Sequence, residues 1–436
     1  MNEIKIEKYS SYKDSGVEWI EDVPTHWEVK KFKRVFYEIK KRSSSELNCG
    51  SISFGKVVYK DDEKIPESTK RSYQVVLKGD FLVNPLNLNY DLISLRIALS
   101  DIDVVVSSGY IVLSNSVKLD KTYYKYFLHR FDVAFMKLLG SGVRQTLNWN
   151  DIANCDLIFP PPPEQTAIAN FLDRKTALID RAVDIKQKQI ELLKERRQIL
   201  IHKAVTRGLN PNTKLKDSGV EWIGKIPEGW EVKRLKEFCK AFGRIGFRGY
   251  TTSDLVSEGE GAITISPSNI KGEFMTFEKC SYLSWNKYRQ SPEIQIFEDD
   301  ILMVKTGSTF GKTGIVKNLP HEATINPQLI VLKEIKINSD YFYTLLKASM
   351  VQYQVQTEVI GSTIPTISET KILNFKVALP QKSEMEEILK YIENATSKIA
   401  TAISLKEQEI EKLKEYKATL INSAVTGKIK VSNHDK

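Results

Sequence analysis

The chain has 436 residues, of which 64 are Lys or Arg and 55 are Asp or Glu, so the formal net charge is +9. Hydrophobic residues make up 41% and charged residues 27%, a globular composition that excludes wholesale disorder and, at this length, fits about two to four domains. No apolar run reaches the roughly 18 residues that a membrane span needs, and the N-terminal residues lack the apolar stretch of a secretion signal. We therefore expect a cytoplasmic protein without a membrane-spanning helix.

The cysteines and histidines are scattered along the chain. Cys49, Cys155, Cys239 and Cys280 form no CxxC pair, which argues against both a disulfide framework and a zinc module. We expect reduced thiols and no metal site. The positive net charge is compatible with nucleic-acid binding and equally with plain solubility.

Two segments of the chain occur twice. The eight residues Lys13–Ile20 recur without a mismatch as Lys216–Ile223, an offset of 203 residues (216 − 13), and the match continues to Trp27 and Trp230. Residues 160–208 align without gaps onto 380–428, an offset of 220 (380 − 160). The sequence is therefore a tandem of short motif, variable region and second repeat, which gives the segments 1–159, 160–208, 209–379 and 380–436.

Each copy of the second repeat is predicted to be one long helix. In the first copy, Pro160 begins the helix and Gly208 ends it; in the second copy, Pro380 and Gly427 do so. Apolar residues follow alternating steps of four and three, which is typical of a coiled-coil seam. The apolar seam positions are Ile179, Val183, Ile190, Leu193 and Leu200 in the first helix and Ile399, Ile403, Ile410, Leu413 and Leu420 in the second.

Both helices place cations at the same two seam positions, Lys186 and Arg197 in the first and Lys406 and Lys417 in the second. These matching interruptions favour pairing of the two helices with each other over the alternative, an amphipathic helix on a globular core. The sequence does not reveal which acids neutralise the cations.

The first helix also carries a second apolar stripe, Leu178, Ile185, Leu192 and Ile199, where the other helix has Lys398, Leu405, Lys412 and Thr419. Either a partner protein or another part of this chain covers it. The seam from Ile179 to Ala204 is 26 residues, or about 39 Å at 1.5 Å per residue, close to the roughly 34 Å of one turn of B-DNA.

The variable regions, 31–159 and 234–379, differ in sequence but share a plan. A turn at Gly79-Asp80 or Asp299-Asp300 leads into an apolar strand, Phe81–Val83 or Ile301–Met303. A later strand is predicted at Tyr110–Leu113 and Leu329–Leu332, followed by helical stretches at Tyr123–Leu139 and Tyr341–Gln356. The fold class is therefore α+β, with two related globular domains and a pair of long helices.

Polar loops between these elements are the candidate recognition sites. Arg suits guanine edges, Asn and Gln suit adenine edges, and Ser, Thr and Lys suit phosphates. Each loop taken alone is better explained as an ordinary turn or solvated loop, and only the duplicated arrangement favours recognition. The first region offers Asn84, Asn87, Asn89, Tyr90, Ser108, Tyr110, Arg144 and Gln145. The second offers Arg244, Arg248, Tyr250, Ser266, Ser268, Asn269, Lys305, Ser308, Thr309, Lys312, Thr313, Ser362 and Thr363.

The sequence segments that resemble catalytic or nucleotide-binding motifs lack the required spacing or residues. Gly307 to Thr313 resembles a P-loop but has three residues between its glycines where four are required. Asn84-Pro85-Leu86 and Asn326-Pro327-Gln328 lack the second proline expected of a base-flipping methyltransferase loop. We therefore expect no catalytic residues, while an enzyme of unfamiliar spacing stays an open alternative.

The combination of repeats resembles the specificity subunit of a type I restriction–modification system. The resemblance covers nearly the whole chain and is carried by the Lys13–Trp27 and Lys216–Trp230 motifs, by Pro163–Ile168, and by Ala204-Val205-Thr206 with its copy Ala424-Val425-Thr426. The second copy departs from the family's Pro-x-x-Glu-Gln pattern at Gln381 to Met385.

The resemblance implies two target recognition domains that read a bipartite sequence in double-stranded DNA, spaced by an antiparallel coiled coil. It further implies two modification (methyltransferase) subunits and motor–nuclease (restriction) subunits as partners. S-adenosylmethionine, ATP and Mg²⁺ would belong to those partners, and this chain would hold no cofactor. Because the two variable regions differ, the target is expected to be asymmetric. The alternative is a coiled-coil scaffold with two protein- or glycan-binding domains.

Overall fold

The computed structural model describes residues 7–86, 95–136, 146–271, 274–357 and 365–431. The chain divides into a first unit, residues 1–187 and 407–436, and a second unit, residues 188–406. Both long helices contribute residues to both units, and each unit contains one copy of the short motif and one variable region.

In the first unit, short strands precede the first long helix. The strands are Tyr12–Asp14 (β1), Asp22–Pro24 (β2), Glu28–Lys31 (β3), Phe36–Glu38 (β4), Gly50–Ser53 (β5), Lys56–Tyr59 (β6), Gln74–Val76 (β7), Phe81–Val83 (β8), Ile97–Leu99 (β9), Val104–Val106 (β10), Ile111–Asn115 (β11) and Asp156–Phe159 (β12). The helices are Phe32–Val35 (α1), Glu67–Lys70 (α2), Lys121–Phe131 (α3), Trp149–Ala153 (α4) and Pro162–Arg207 (α5). A four-stranded sheet of order β4-β11-β8-β9 is antiparallel throughout and packs against α3 through buried aromatic side chains.

The second unit repeats this plan and adds a second sheet. Its strands are Leu215–Asp217 (β13), Lys225–Pro227 (β14), Glu231–Arg234 (β15), Lys240–Gly243 (β16), Leu255–Val256 (β17), Gly261–Ile265 (β18), Ile270–Lys271 (β19), Phe274–Met275 (β20), Ser281–Ser284 (β21), Gln295–Ile296 (β22), Ile301–Val304 (β23), Thr313–Ile315 (β24), Ala323–Ile325 (β25), Leu329–Lys333 (β26) and Lys376–Leu379 (β27). Its helices are Trp285–Arg289 (α6), Ser339–Lys347 (α7), Ser349–Thr357 (α8) and Glu369–Leu373 (α9), and the second long helix is Lys382–Val425 (α10). The sheet β16-β26-β23-β24 matches that of the first unit, and β17-β21-β18-β25-β22 is the addition.

The turn before each central strand is held by a buried carboxylate. Asp80 accepts a hydrogen bond from the backbone N–H of Leu77 (3.0 Å), and Asp300 accepts one from Phe297 (2.9 Å), 220 residues further on. Burial raises the pKa of both Asp80 and Asp300. The strands predicted after these turns are confirmed as β8 and β23.

The predicted helices are confirmed with adjusted bounds. A glycine with positive φ follows each long helix, Gly208 (φ 69°) after α5 and Gly427 (φ 73°) after α10. Such a left-handed conformation is typical of a glycine that terminates a helix. The stretch predicted from Tyr123 is α3 followed by a π-helical turn at Asp132–Met136, and its residues 137–139 lie outside the described part of the chain. The stretch predicted over Tyr341–Gln356 is two helices, because Ala348 adopts an extended conformation (ψ 152°) between α7 and α8.

The seam of α5 and α10 is confirmed by burial. The predicted seam residues are buried or half-buried, whereas their neighbours on the outer face are exposed, and the burial pattern over residues 177–199 is the same as that over 397–419. Within the first unit, Lys186 pairs with Glu409 (2.6 Å) and Lys417 pairs with Asp180 (2.6 Å). The two helices are antiparallel, because the residue number of the α10 partner falls as the residue number on α5 rises. For Lys186 and Lys417, these two acids answer the question that the sequence left open.

Each short motif is hydrogen-bonded to the start of the long helix that follows its variable region. Trp27 donates its indole N–H to Glu164 in the first unit (3.0 Å), and Trp230 donates to Glu384 in the second (3.0 Å). In this way the repeated motif and the repeated helix form the frame of each unit, and each variable region is inserted between them.

Candidate nucleic-acid interface

In the first unit, the described ends of the predicted recognition loops lie at one end of the four-stranded sheet. The chain leaves β8 at Asn84, whose backbone N–H bonds to the carbonyl of Arg96 (2.8 Å). On the other side, Val83 pairs with Ile111, so that the Ser107–Tyr110 turn reaches the same sheet end. An isolated bridge between Leu86 and Thr146 joins the third loop to the first. Asn87, Asn89, Tyr90, Arg144 and Gln145 lie outside the described residues.

Three cations that the sequence analysis missed lie beside this sheet end. Lys40, Lys41 and Arg42 are exposed and follow β4 after one residue, and Lys41 donates to the carbonyl of Ser108 (2.8 Å). Gln74, which is buried, donates to the carbonyl of Tyr110 (2.6 Å) and holds the same turn. Their signal in the sequence is a run of three consecutive basic residues.

The second unit builds the corresponding end from different residues. The backbone N–H of Lys305 bonds to the carbonyl of Gln328 (2.8 Å), and Thr306 bridges to Thr366. That bridge lies 220 residues after Leu86 and Thr146 (306 − 86 and 366 − 146), so the common plan extends into the variable regions. The loop from Lys305 to Lys312 turns at Gly307 (φ 111°) and Gly311 (φ 77°), conformations that favour glycine.

The predicted residues of this loop have different surroundings. Ser308 and Thr309 are exposed, whereas Thr313 is buried as the first residue of β24. Lys305 is paired with Glu369 (3.1 Å), while no ion pair with a described carboxylate is found for Lys312. Ser362 and Thr363 lie outside the described residues.

Arg244, Arg248 and Tyr250 are bound to their own unit. The buried guanidinium of Arg244 donates to the carbonyl of Ile325 (3.0 and 3.1 Å) and lies over the Tyr250 ring, 5.0 Å from its centre. Burial lowers the pKa of Arg244. Arg248 pairs with Glu293 (3.3 Å). The structure thus gives Arg244 internal partners, while Arg248, 40% exposed at its side chain, keeps access to solvent.

Ser266, Ser268 and Asn269 form one turn after β18. The buried amide of Asn269 accepts from the N–H of Ser266 (2.9 Å), and the Ser266 and Ser268 hydroxyls are 2.7 Å apart. Because Ile265 accepts a backbone bond from Asn326, this turn lies beside the 326–328 loop. In the second unit, the predicted recognition loops therefore meet along one rim, as in the first.

The apolar stripe on α5 is exposed. Leu178 (54% exposed) and Ile185 (50%) belong to the first unit, and Leu192 (63%) and Ile199 (46%) belong to the second. In the second unit, Ile199 lines a cleft of about 620 Å³ with Arg196, Lys203, Arg207 and Tyr391. The described residues of this chain therefore leave the stripe uncovered.

The described residues contain neither a metal-type cluster nor a helix that could span a membrane. Nowhere in them do three or more His, Cys, Asp or Glu side chains gather as a metal site would require. None of their helices combines the length and the apolar character that crossing a bilayer demands.

Known proteins resemble this chain over most of its length. A family model for the type I restriction modification DNA specificity domain matches residues 27–195 and 227–415. The type I restriction enzyme MjaVIII specificity subunit of Methanocaldococcus jannaschii is 26% identical over 339 residues, 76% of this chain and 75% of the relative. The putative MjaX specificity subunit of the same organism is 24% identical over 432 residues, 94% and 96% of the two chains.

Solved structures share the fold. A chain from work on complex assembly and conformational transition of the type I R-M system superimposes with a TM-score of 0.69 at 15% identity, covering 92% of this chain and 98% of the other. The HsdS subunit from Thermoanaerobacter tengcongensis gives a TM-score of 0.52 at 15% identity, covering 93% and 98%. With two matched specificity domains in tandem and a fold shared with an HsdS subunit, the chain belongs to the family of type I restriction–modification specificity subunits.

Proposed function

We propose that this chain reads an asymmetric, bipartite DNA sequence and performs no chemistry itself. The observation that carries the proposal is the pair of sheet ends. Both have the same backbone bridge, Leu86 to Thr146 and Thr306 to Thr366, yet they present different polar side chains. Polar and basic side chains on rigid strand ends suit contacts to phosphates and base edges. Because the two domains share one architecture but carry different loops, we expect them to read two different half-sites.

The proposed partners are two modification subunits, which would carry S-adenosylmethionine and methylate adenine, and motor–nuclease subunits, which would use ATP and Mg²⁺. The exposed stripe on α5 supports protein docking, because contiguous apolar side chains on a surface mark interaction sites. No cofactor is assigned to this chain.

Methylation mapping tests the function directly. Genomic DNA from cells with and without this chain, in the presence of its modification subunits, is expected to differ by methylated adenines within one two-part, non-palindromic motif. A motif that is unchanged by loss of the chain, or one that is a perfect palindrome, would contradict the proposal. Duplex binding by the complete complex should also weaken steeply with salt; binding that is indifferent to salt would favour a protein-binding scaffold instead.

A further inference from the structure

In both four-stranded sheets, a basic residue occupies the same register position at the end that carries the candidate recognition loops. The carbonyl of Arg96 accepts the backbone N–H of Asn84 (2.8 Å), and the carbonyl of Lys312 accepts that of Val304 (2.8 Å). Asn84 and Val304 are themselves equivalent, since they lie 220 residues apart (304 − 84). The two variable regions differ in sequence, yet each puts a basic side chain opposite the end of its central strand.

Arg96 is held in one orientation by Asp132. Its Nε donates to Asp132 Oδ1 (2.9 Å), and its backbone N–H donates to Asp132 Oδ2 (2.6 Å). Both side chains are buried, with 6% and 0% of their surfaces exposed. Asp132 is the first residue of the π-helical turn after α3, and such turns often occur at functional sites. One carboxylate therefore fixes both the backbone and the side chain of Arg96.

The other two nitrogens of this guanidinium have no partner in the described part of the chain. Nη1 and Nη2 of Arg96 are buried and find no hydrogen-bond acceptor among the described residues. Buried donors without acceptors are unfavourable, particularly on a charged group. The Arg96 guanidinium is therefore held rigidly and has two hydrogen-bond donors, Nη1 and Nη2, without acceptors in the described part of the chain.

We propose that Arg96 reads a guanine in one half of the target, with Nη1 and Nη2 donating to O6 and N7. This proposal rests on the proposed DNA-reading function. A planar guanidinium held at Nε presents two parallel donors, the geometry that matches the guanine edge in the major groove. A phosphate would need no such fixed orientation. Because the two nitrogens are buried, they have to become accessible when the base arrives, and satisfying the orphaned donors favours that change.

The test is a scan of the complete complex on its methylation target with 7-deazaguanine, which lacks the N7 acceptor. The wild-type complex is expected to bind about 5- to 100-fold more weakly when one particular guanine is replaced. The Arg96→Lys variant keeps a positive charge beside Asp132 but loses the two parallel guanidinium donors. Its binding should therefore be insensitive to loss of N7 at that guanine. Lys312→Ala is the matched control in the second unit and should leave that sensitivity unchanged.

Several outcomes would overturn the inference. The wild-type scan needs no variant, so a target in which no guanine is sensitive to loss of N7 rejects it even if Arg96 variants fail to fold. Uniform weakening of Arg96→Lys across all duplexes, with a shallower salt slope, assigns Arg96 to a phosphate instead. If methylation itself does not depend on the chain, the proposed function fails; if the motif is intact but no guanine responds, this inference alone fails.

Discussion

Glu164 is the residue on which the N-terminal motif converges. Its carboxylate accepts hydrogen bonds from the Tyr9 hydroxyl (2.8 Å) and from the Trp27 indole (3.0 Å), and it lies 2.6 Å from the His26 ring. Burial by itself would raise the pKa of Glu164, but the hydrogen bonds from Trp27, Tyr9 and His26 outweigh burial and hold that pKa below its usual range. The carboxylate form is therefore the one that the fold selects.

A lowered carboxyl pKa makes stability depend on pH in one direction. The contribution of Glu164 is present above the pKa of the unfolded chain, about 4.3, and is lost as the pH falls through the lower pKa of the folded state. We expect Glu164→Gln to lower the melting temperature by a few degrees at pH 7, corresponding to about 1 kcal/mol for a partly exposed group. The difference from wild type should shrink below about pH 4, as thermal melts monitored by circular dichroism would measure.

Glu384→Gln provides the matched control for this experiment, since Glu384 occupies the same repeat position and accepts the Trp230 indole N–H. Its substitution should cost less at pH 7, because additional donors from Tyr9 and His26 are described for Glu164. A gap between Glu164→Gln and wild type that stays constant from pH 7 to pH 3.5 would contradict the assignment.

At the scale of elements, periodicity predicted more than composition did. The spacing of Ile179, Val183 and Ile190 requires one helix face, and burial of that face follows from the repeat itself. The acids opposite Lys186 and Lys417 were not predictable, because a single helix pattern does not encode the register of an antiparallel partner. The bond from Trp27 to Glu164 was also missed. Both residues stood out as repeats, but the sequence does not show that residues 137 apart (164 − 27) meet.

The recognition loops were the least predictable part. Arg244 was chosen as a polar loop residue, yet its guanidinium is buried against the Ile325 carbonyl. Arg96 was not chosen, because its proposed role depends on Asp132, which is contributed by a different element. Loop residue types indicate a chemistry, whereas the burial and partners of a side chain depend on tertiary contacts.

The antiparallel register predicts a specific charge exchange. Asp180→Lys should place like charges beside Lys417 and lower the melting temperature by about 1–3 °C, a small effect because exposed ion pairs contribute roughly 0.2–1 kcal/mol. The double variant Asp180→Lys, Lys417→Asp should recover that loss.

The control for the charge exchange is Lys414→Asp combined with Asp180→Lys. Lys414 pairs with Glu411 on its own helix (2.7 Å), so its substitution should rescue nothing. Equal rescue by both double variants would mean that net charge, and not register, explains the effect.

At the scale of the whole molecule, duplication supplies the frame and divergence supplies the difference between the two ends. The repeated parts share the Trp-to-Glu bonds, and the two long helices carry the same burial pattern over residues 177–199 and 397–419. The inserted parts keep the sheet order β4-β11-β8-β9 in one unit and β16-β26-β23-β24 in the other, but the second unit adds a five-stranded sheet. Under the proposed function, a constant frame with variable loops would allow one half-site to change without the other.

The continuous helices predict that target spacing and target sequence are separable. Adding one heptad at the middle of both α5 and α10 keeps the seam in phase and lengthens each helix by about 10 Å, or roughly three base pairs of B-DNA at 3.4 Å each. Methylation mapping with this variant should give the same two half-sites separated by a spacer about three base pairs longer. A heptad added to α5 alone leaves the helices unequal and should abolish methylation. Half-sites with altered bases and an unchanged spacer would contradict the prediction that helix length sets the spacer length.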